Sequence, residues 1–195
     1  MSNLAANVTT QTFETLVVGT QPLVNLDFTG SSTTIASVIS GDGFVRSSVA
    51  DGRFNTTSGG SKWWDVSGSF TLNFTGTAVS AFGFYGTDVG DFAGQITLKL
   101  TDTSNEVSTL TIPAAAGSAD GGLLFFGFVD HARAYKQITF GNTGDGNDFF
   151  GFDDMVIGDL NQLVAPPTIP EPTSLALVGL ALAAAGFAAR RQRRA

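Results

Sequence analysis

No cysteine occurs in the chain, so it has no disulfide framework and no thiol chemistry. Histidine occurs once, as His131, beside Asp130 and close to Arg133. A lone histidine in that polar setting reads as a surface or loop residue. A Ser-His-Asp, Cys-His or zinc site therefore has almost nothing to be built from. Basic residues are scarce as well. Of the ten lysines and arginines, four fall in the last six positions, which leaves six against sixteen acidic residues before Ile169. The whole chain carries −7 and that longer portion −10. An acidic body has no basic patch to meet phosphate, which excludes nucleic acid and anionic lipid as partners for it.

Helical patterning is also missing before residue 170. No segment there repeats its apolar residues every 3.6 positions between caps, and Ala114–Ala119 is too short and too glycine-interrupted. No repeat of fixed period stands out, which argues against a solenoid or propeller. Catalytic carboxylates are not evident either. Asp153 and Asp154 are adjacent, and neighbouring strand residues point to opposite faces, so they make no pair by themselves. A glycosidase would need a second carboxylate from elsewhere in the chain, and no residue identifies itself as that partner.

What is present is glycine, 24 residues, and phenylalanine, 17, the make-up of a loop-rich β protein. Val24, Leu26 and Phe28 alternate with Asn25, Asp27 and Thr29; Phe70, Leu72 and Phe74 do the same with Thr71, Asn73 and Thr75. Ile96, Leu98 and Leu100 against Thr97, Lys99 and Thr101 form the cleanest strand. Ile35–Ile39, Phe44–Val49, Val79–Tyr85, Val107–Ile112, Leu123–Val129, Gln137–Phe140 and Phe149–Ile157 are further strand candidates, with the glycine-rich stretch from Asp51 to Lys62 as a loop. Short strands with turn signals about every ten residues predict an all-β fold. We expect an antiparallel β-sandwich or jelly-roll ectodomain over residues 1–160, then a spacer over 161–169 containing Pro166 and Pro167.

Two places in that body could take a ligand. The loop from Gly141 to Asp148 collects Asn142, Asp145, Asn147 and Asp148 among glycines. Asp145 and Asp148, with Asp153 and Asp154 on the strand that follows, are candidates for a structural calcium, which takes hard oxygen ligands. The other reading of the loop is a solvated hairpin turn, since Asn, Asp and Gly are turn residues in any case. Trp63 and Trp64 follow a polar loop and could offer a ring on which a sugar stacks. Only one of two adjacent strand residues can face outward, so at most one is free.

The last stretch differs in kind. Pro170-Glu171-Pro172 is followed by an uncharged apolar run, Thr173–Ala189, and then by Arg190, Arg191, Gln192, Arg193 and Arg194. Roughly 17 residues at about 1.5 Å each just cross a hydrocarbon core. The arginines Arg190, Arg191, Arg193 and Arg194 would hold the C-terminus in the cytoplasm and everything before Pro170 outside. These three elements in this order resemble the PEP-CTERM sorting signal of Gram-negative bacteria, here over residues 170–194. The resemblance implies a single C-terminal transmembrane helix and recognition by an exosortase. It further implies an exported surface or matrix protein, held in the inner membrane before processing, in a setting of exopolysaccharide and biofilm. The lack of a catalytic constellation makes a non-enzymatic protein the expectation, since a secreted hydrolase would need a carboxylate pair. The body, through Trp63-Trp64, Val79–Asp88 and Phe149–Asp154, resembles the β-sandwiches that precede such tails. Its Phe152–Ile157 ending is similar to the last strand of carbohydrate-binding modules, where an aspartate can help hold calcium. A lectin-like module that binds extracellular polysaccharide is therefore the alternative. Export needs a signal peptide, and Met1–Asn7 lacks both a basic and an apolar region, so the expectation is a true start upstream or another export route.

Overall fold

The computed structural model describes residues 8–30, 33–89, 94–112, 121–144, 148–164 and 182. The chain divides into two compact units, Met1–Val164 and Ala165–Ala195. The first is all-β. Its strands are β1 (Thr9–Gln11), β2 (Val24–Thr29), β3 (Thr34–Gly41), β4 (Phe44–Arg46), β5 (Trp63–Val66) and β6 (Phe70–Thr75). They continue with β7 (Ala81–Thr87), β8 (Ile96–Asp102), β9 (Val107–Thr111), β10 (Leu123–Val129), β11 (Tyr135–Asn142) and β12 (Phe150–Gly158). A single 3₁₀ turn, Leu160–Gln162, follows, capped by the Asp159 side chain.

Hydrogen bonds link the strands in the order β10-β7-β12-β1-β2-β3-β6-β11-β8-β9, with β5 beside the start of β12 and β4 beside β5. Every pairing is antiparallel. The ribbon folds over on itself, and aromatic rings show where its layers meet. Phe70 of β6 stacks on its ladder neighbour Phe140 of β11 at 4.2 Å. Phe140 in turn meets Phe84 of β7 at 5.1 Å and Phe152 of β12 at 5.0 Å, edge to face. Rings from strands far apart in the sheet order thus share one core, the arrangement of a β-sandwich. β1 makes the corner: three residues pair with β12, but only Thr10 pairs with β2, opposite Thr29.

Alternation accounts for most of the burial. Ile96, Leu98 and Leu100 of β8 are buried as their spacing requires, and Leu26 and Phe28 of β2 likewise. β5 and most of β7 and β12 are buried on both faces. The reason is in part the stretch 53–57, whose residues bond to Asp65 of β5, Thr87 of β7 and Asp153 of β12, and in part Val156 and Phe125, which cover β7 at Gly83. The run Leu16-Val17-Val18 is no strand; it lies in turns, with Val17 and Val18 exposed. The polar Thr9–Gln11 is a strand instead, because its ladder to β12 supplies what its composition does not.

Among the described residues no helix is long and apolar enough to cross a membrane. The expected span Thr173–Ala189, apart from Leu182, lies outside the described residues. Pro170, Glu171, Pro172, Arg190, Arg191, Arg193 and Arg194 lie outside them too.

Candidate functional site

The outer side of β5, β12 and β7 carries the densest polar chemistry in the sandwich. β5 turns Trp64 and Val66 inward and Trp63 and Asp65 outward. Gly151 of β12 faces Asp65, and its bare Cα makes the space. A side chain built there would meet Trp63 Cδ1 at 3.2 Å, Arg53 Cβ at 3.3 Å and the Thr87 hydroxyl. Arg53 descends from the covering loop into that space and is 6% exposed. Its Nε donates to Asp65 Oδ1 at 2.8 Å, and its Nη1 donates to Asp88 Oδ2 at 3.3 Å. Arg46 of β4 donates to the other Asp65 oxygen at 2.5 Å. Asp88 holds φ +64 and accepts from the Gly121 amide at 3.0 Å. The Arg53 guanidinium also lies 5.1 Å from the centre of the Phe149 ring. Two arginines and two aspartates thereby pin the loop to the sheet.

A second anchor lies at the bend of β12. Between Asp153 and Val156 the ladder to β7 shifts register, and Asp154 takes φ +45. This bulge overturns the expectation that Asp153 and Asp154 point apart. The single Thr56 hydroxyl hydrogen is shared between Asp153 Oδ2 at 3.2 Å and Asp154 Oδ2 at 2.9 Å, and Thr57 Oγ1 reaches Asp154 Oδ1 at 2.7 Å. A left-handed residue inserted in a strand turns its side chain back to its neighbour's side. Asp153 Oδ2 also accepts from the Thr56 amide at 2.7 Å and from Asn55 Nδ2 at 3.0 Å. Burial pushes the Asp153 carboxyl up to about 6, against the lowering pull of the Thr56 and Asp154 amides. Glu14 completes the clamp, its Oε1 accepting from the Ser61 amide at 2.7 Å and the Lys62 amide at 2.6 Å. These carboxylates accept hydrogen bonds from the loop and hold it down. Asp153 is 1% exposed, and Asp154 is half-buried beside it.

Trp63 and Trp64 are not a sugar platform: they are 1% and 0% exposed. Trp64 stacks on Phe13 at 6.1 Å in the core, and Trp63, on the outer side, is covered where Arg53 meets Gly151. Of the calcium candidates, Asp145 lies outside the described residues. Asp148 caps the Phe149 amide at 2.9 Å. Among the described residues no three His, Cys, Asp or Glu side chains gather as a metal cluster. His131 is exposed. An open cavity of about 220 Å³ lies between Gln21, Asp42, Phe44, Ser67 and Phe149. Sequence reasoning missed Glu14, Arg53, Asp65 and Asp88, which belong to no motif. One signal was there to use: Arg53 is one of only two cations in a glycine-rich polar loop of an acidic domain, the other being Lys62 at the loop's end.

The class of protein defined so far is a β-sandwich-like, all-antiparallel domain followed by a separate C-terminal unit. In that unit, residues 168–194 match the PEP-CTERM protein-sorting motif. Such a motif implies a secreted or cell-surface protein that is processed at its C-terminus, with an exosortase as partner. No curated protein matches the chain. Solved structures similar to it include TmCBM61 in complex with β-1,4-galactotriose, at 16% identity and TM-score 0.43, covering 63% of this chain and 88% of that one. The K2 cleaved adhesin domain of Lys-gingipain is similar at 16% identity and TM-score 0.47, covering 77% and 97%. The CBM22-1–GH10 modules of Clostridium thermocellum xylanase 10B, complexed with xylohexaose, are similar at 14% and 0.42, covering 85% of this chain and 30% of that one. Likeness at this level carries nothing about ligand or activity.

Proposed function

We propose that this is an exported, non-enzymatic surface or extracellular-matrix protein that an exosortase processes at its C-terminal signal. The observation that carries the reading is the sorting motif at 168–194. Before processing, Thr173–Ala189 spans the inner membrane with Arg190–Arg194 in the cytoplasm. After it, the sandwich is free at the surface or in the extracellular exopolysaccharide of a biofilm, as a structural component. Arg53, Asp153 and Glu14 hold the covering loop to the sheet, which supports a structural role for these charged residues. A structural calcium at the Asp145-to-Asp154 stretch belongs to the same proposal. The lectin-like alternative loses the platform expected at Trp63 and Trp64, and affinity gels with polysaccharides test what remains of it.

The deciding experiment is the intact mass of the protein recovered from the surface or medium of its native host. Processing predicts a product without Arg190–Arg194. Glu171→Ala should leave the unprocessed membrane form, provided the motif is read as a unit. A full-length tail on the mature surface protein would overturn the proposal.

A further inference from the structure

Among the described residues the ladder ends at three strands, β4, β9 and β10, and these ends are protected unequally. At β4, the Val45 amide donates to Thr20 O at 2.9 Å and the Gly19 amide to Val45 O at 2.8 Å, so that edge is capped. β9 is five residues long and carries Ser108, Thr109 and Thr111. β10 has neither device. It runs seven residues as Leu-Leu-Phe-Phe-Gly-Phe-Val, and no charged side chain occurs from Gly121 to Val129. A long, flat, apolar edge is what soluble β proteins avoid unless it is used.

The ladder fixes which groups β10 leaves open. Asp88 N donates to Gly122 O and Asp130 N to Ser80 O, so the even-numbered residues of β10 exchange hydrogen bonds with β7. The amides and carbonyls of Leu123, Phe125, Gly127 and Val129 therefore point away from the sheet. Among the described residues none of them has a backbone partner on that side. The side chains are as incomplete as the backbone. Leu123 and Phe125 are each 56% exposed on the outer face. On the inner face Leu124, Phe126 and Phe128 are only partly buried, whereas Phe82, Phe84 and Phe152 of the next two strands are fully so.

We propose that β10 pairs with β10 of a second copy of this chain, antiparallel about a two-fold axis at Phe126, joining two sandwiches through one continuous sheet. Two copies pair their open groups only if odd residues face odd residues, and centring the pair on Phe126 satisfies this. Leu123 then lies opposite Val129 and Phe125 opposite Gly127, giving about eight new backbone hydrogen bonds. The register sets a large residue against a glycine on the outer face, the cross-strand pairing in which a ring covers a bare backbone. The half-open inner row Leu124, Phe126 and Phe128 continues into its own copy and closes the core. The strand carries no charge, so it offers a basic partner no ion pair, while its odd residues match a second copy of themselves in backbone and in shape. Domains that each carry −10 repel, and they can meet where no charge is present, which is along this strand. Salt screens that repulsion, so the pairing strengthens as salt rises, whereas a complex with a basic partner would weaken.

The test uses the full chain in a mild non-ionic detergent. Because the chain has no cysteine, Phe125→Cys places a single thiol at the edge, and Val107→Cys places one on exposed β9 as a control. A short bismaleimide should couple Phe125→Cys into a dimer at least tenfold faster than Val107→Cys, and faster in 0.5 M than in about 0.05 M sodium chloride. Sedimentation should show dimers for the parent and monomers for Phe125→Lys and Leu123→Lys, with thermal melts confirming that both variants fold. Equal coupling at both positions would mean that the C-terminal unit drives association, and would overturn the proposal. Monomers for the parent, or dimers that survive both lysine variants, would overturn it as well.

Discussion

Replacing Arg53 by methionine keeps a chain of similar length and removes the charge that the covering loop inserts between Asp65 and Asp88. At 2.8 and 3.3 Å, and at an effective dielectric of about 20, the two attractions are about 6 and 5 kcal/mol before the cost of stripping water from the ions. That desolvation cost consumes most of the gain, so the pairs add little net stability compared with an apolar replacement of all members. The variant has no such compensation. Asp65, 0% exposed, keeps Arg46, but Asp88, 3% exposed, keeps only the Gly121 amide among the described residues. Removing one partner of a buried pair costs about 3–5 kcal/mol, a large share of the roughly 5–15 kcal/mol that holds a domain of this kind together. Urea titration of the sandwich unit, followed by tryptophan fluorescence from the buried Trp63 and Trp64, reads this directly. Arg53→Met should move the midpoint by the equivalent of at least 3 kcal/mol, and adding Asp65→Asn and Asp88→Asn should recover much of the loss. A midpoint within 1 kcal/mol of the parent would refute the reasoning, because Arg53 would then not be compensating buried charge.

Other expectations follow from single positions. The Asp153 carboxyl, held at about 6 by burial against an ordinary 3.8, favours its neutral form in the folded state. Its contribution is therefore fully present below about pH 4, falls away as pH rises to about 6, and stays constant above. Asp153→Asn should flatten that part of the stability–pH profile, a change of order 3 kcal/mol in urea melts across pH 4 to 7. Leu98→Asp puts a charge at a 0% exposed core position; it should cost several kcal/mol and abolish the cooperative melt. Gly43→Ala should lower stability by about 1–3 kcal/mol, since its φ is +108° and a Cβ would press on Trp64 Nε1 and lie 2.9 Å from Asp65 O. Calcium binding at the Asp145-to-Asp154 stretch should raise the melting temperature by several degrees at a hundredfold excess over Kd, an effect that chelator or Asp148→Asn removes. Melting indifferent to both would leave a plain solvated turn.

Periodicity alone placed most strands within a residue or two, because one-sided burial writes itself as alternation: Phe70–Thr75 and Ile96–Asp102 are as clear in the chain as in the sheet. The sorting motif was equally local, being three consecutive elements readable without any fold. Thr9–Gln11 was not readable, since a three-residue polar strand exists only through its partner β12. The same holds for Trp63. Its outward position followed from the strand period, but its burial depended on a loop that Arg53, Asp153 and Glu14 hold down across sequence separations of 12 to 97 residues. Asp153 and Asp154 show the limit most plainly. Two adjacent strand residues should diverge, and one left-handed φ at Asp154, stabilised by Thr56 and Thr57, brings their carboxylates to the same hydroxyls. Sequence period reports which face a residue starts from; what covers that face, and where a strand breaks step, is settled by contacts between segments far apart in the chain.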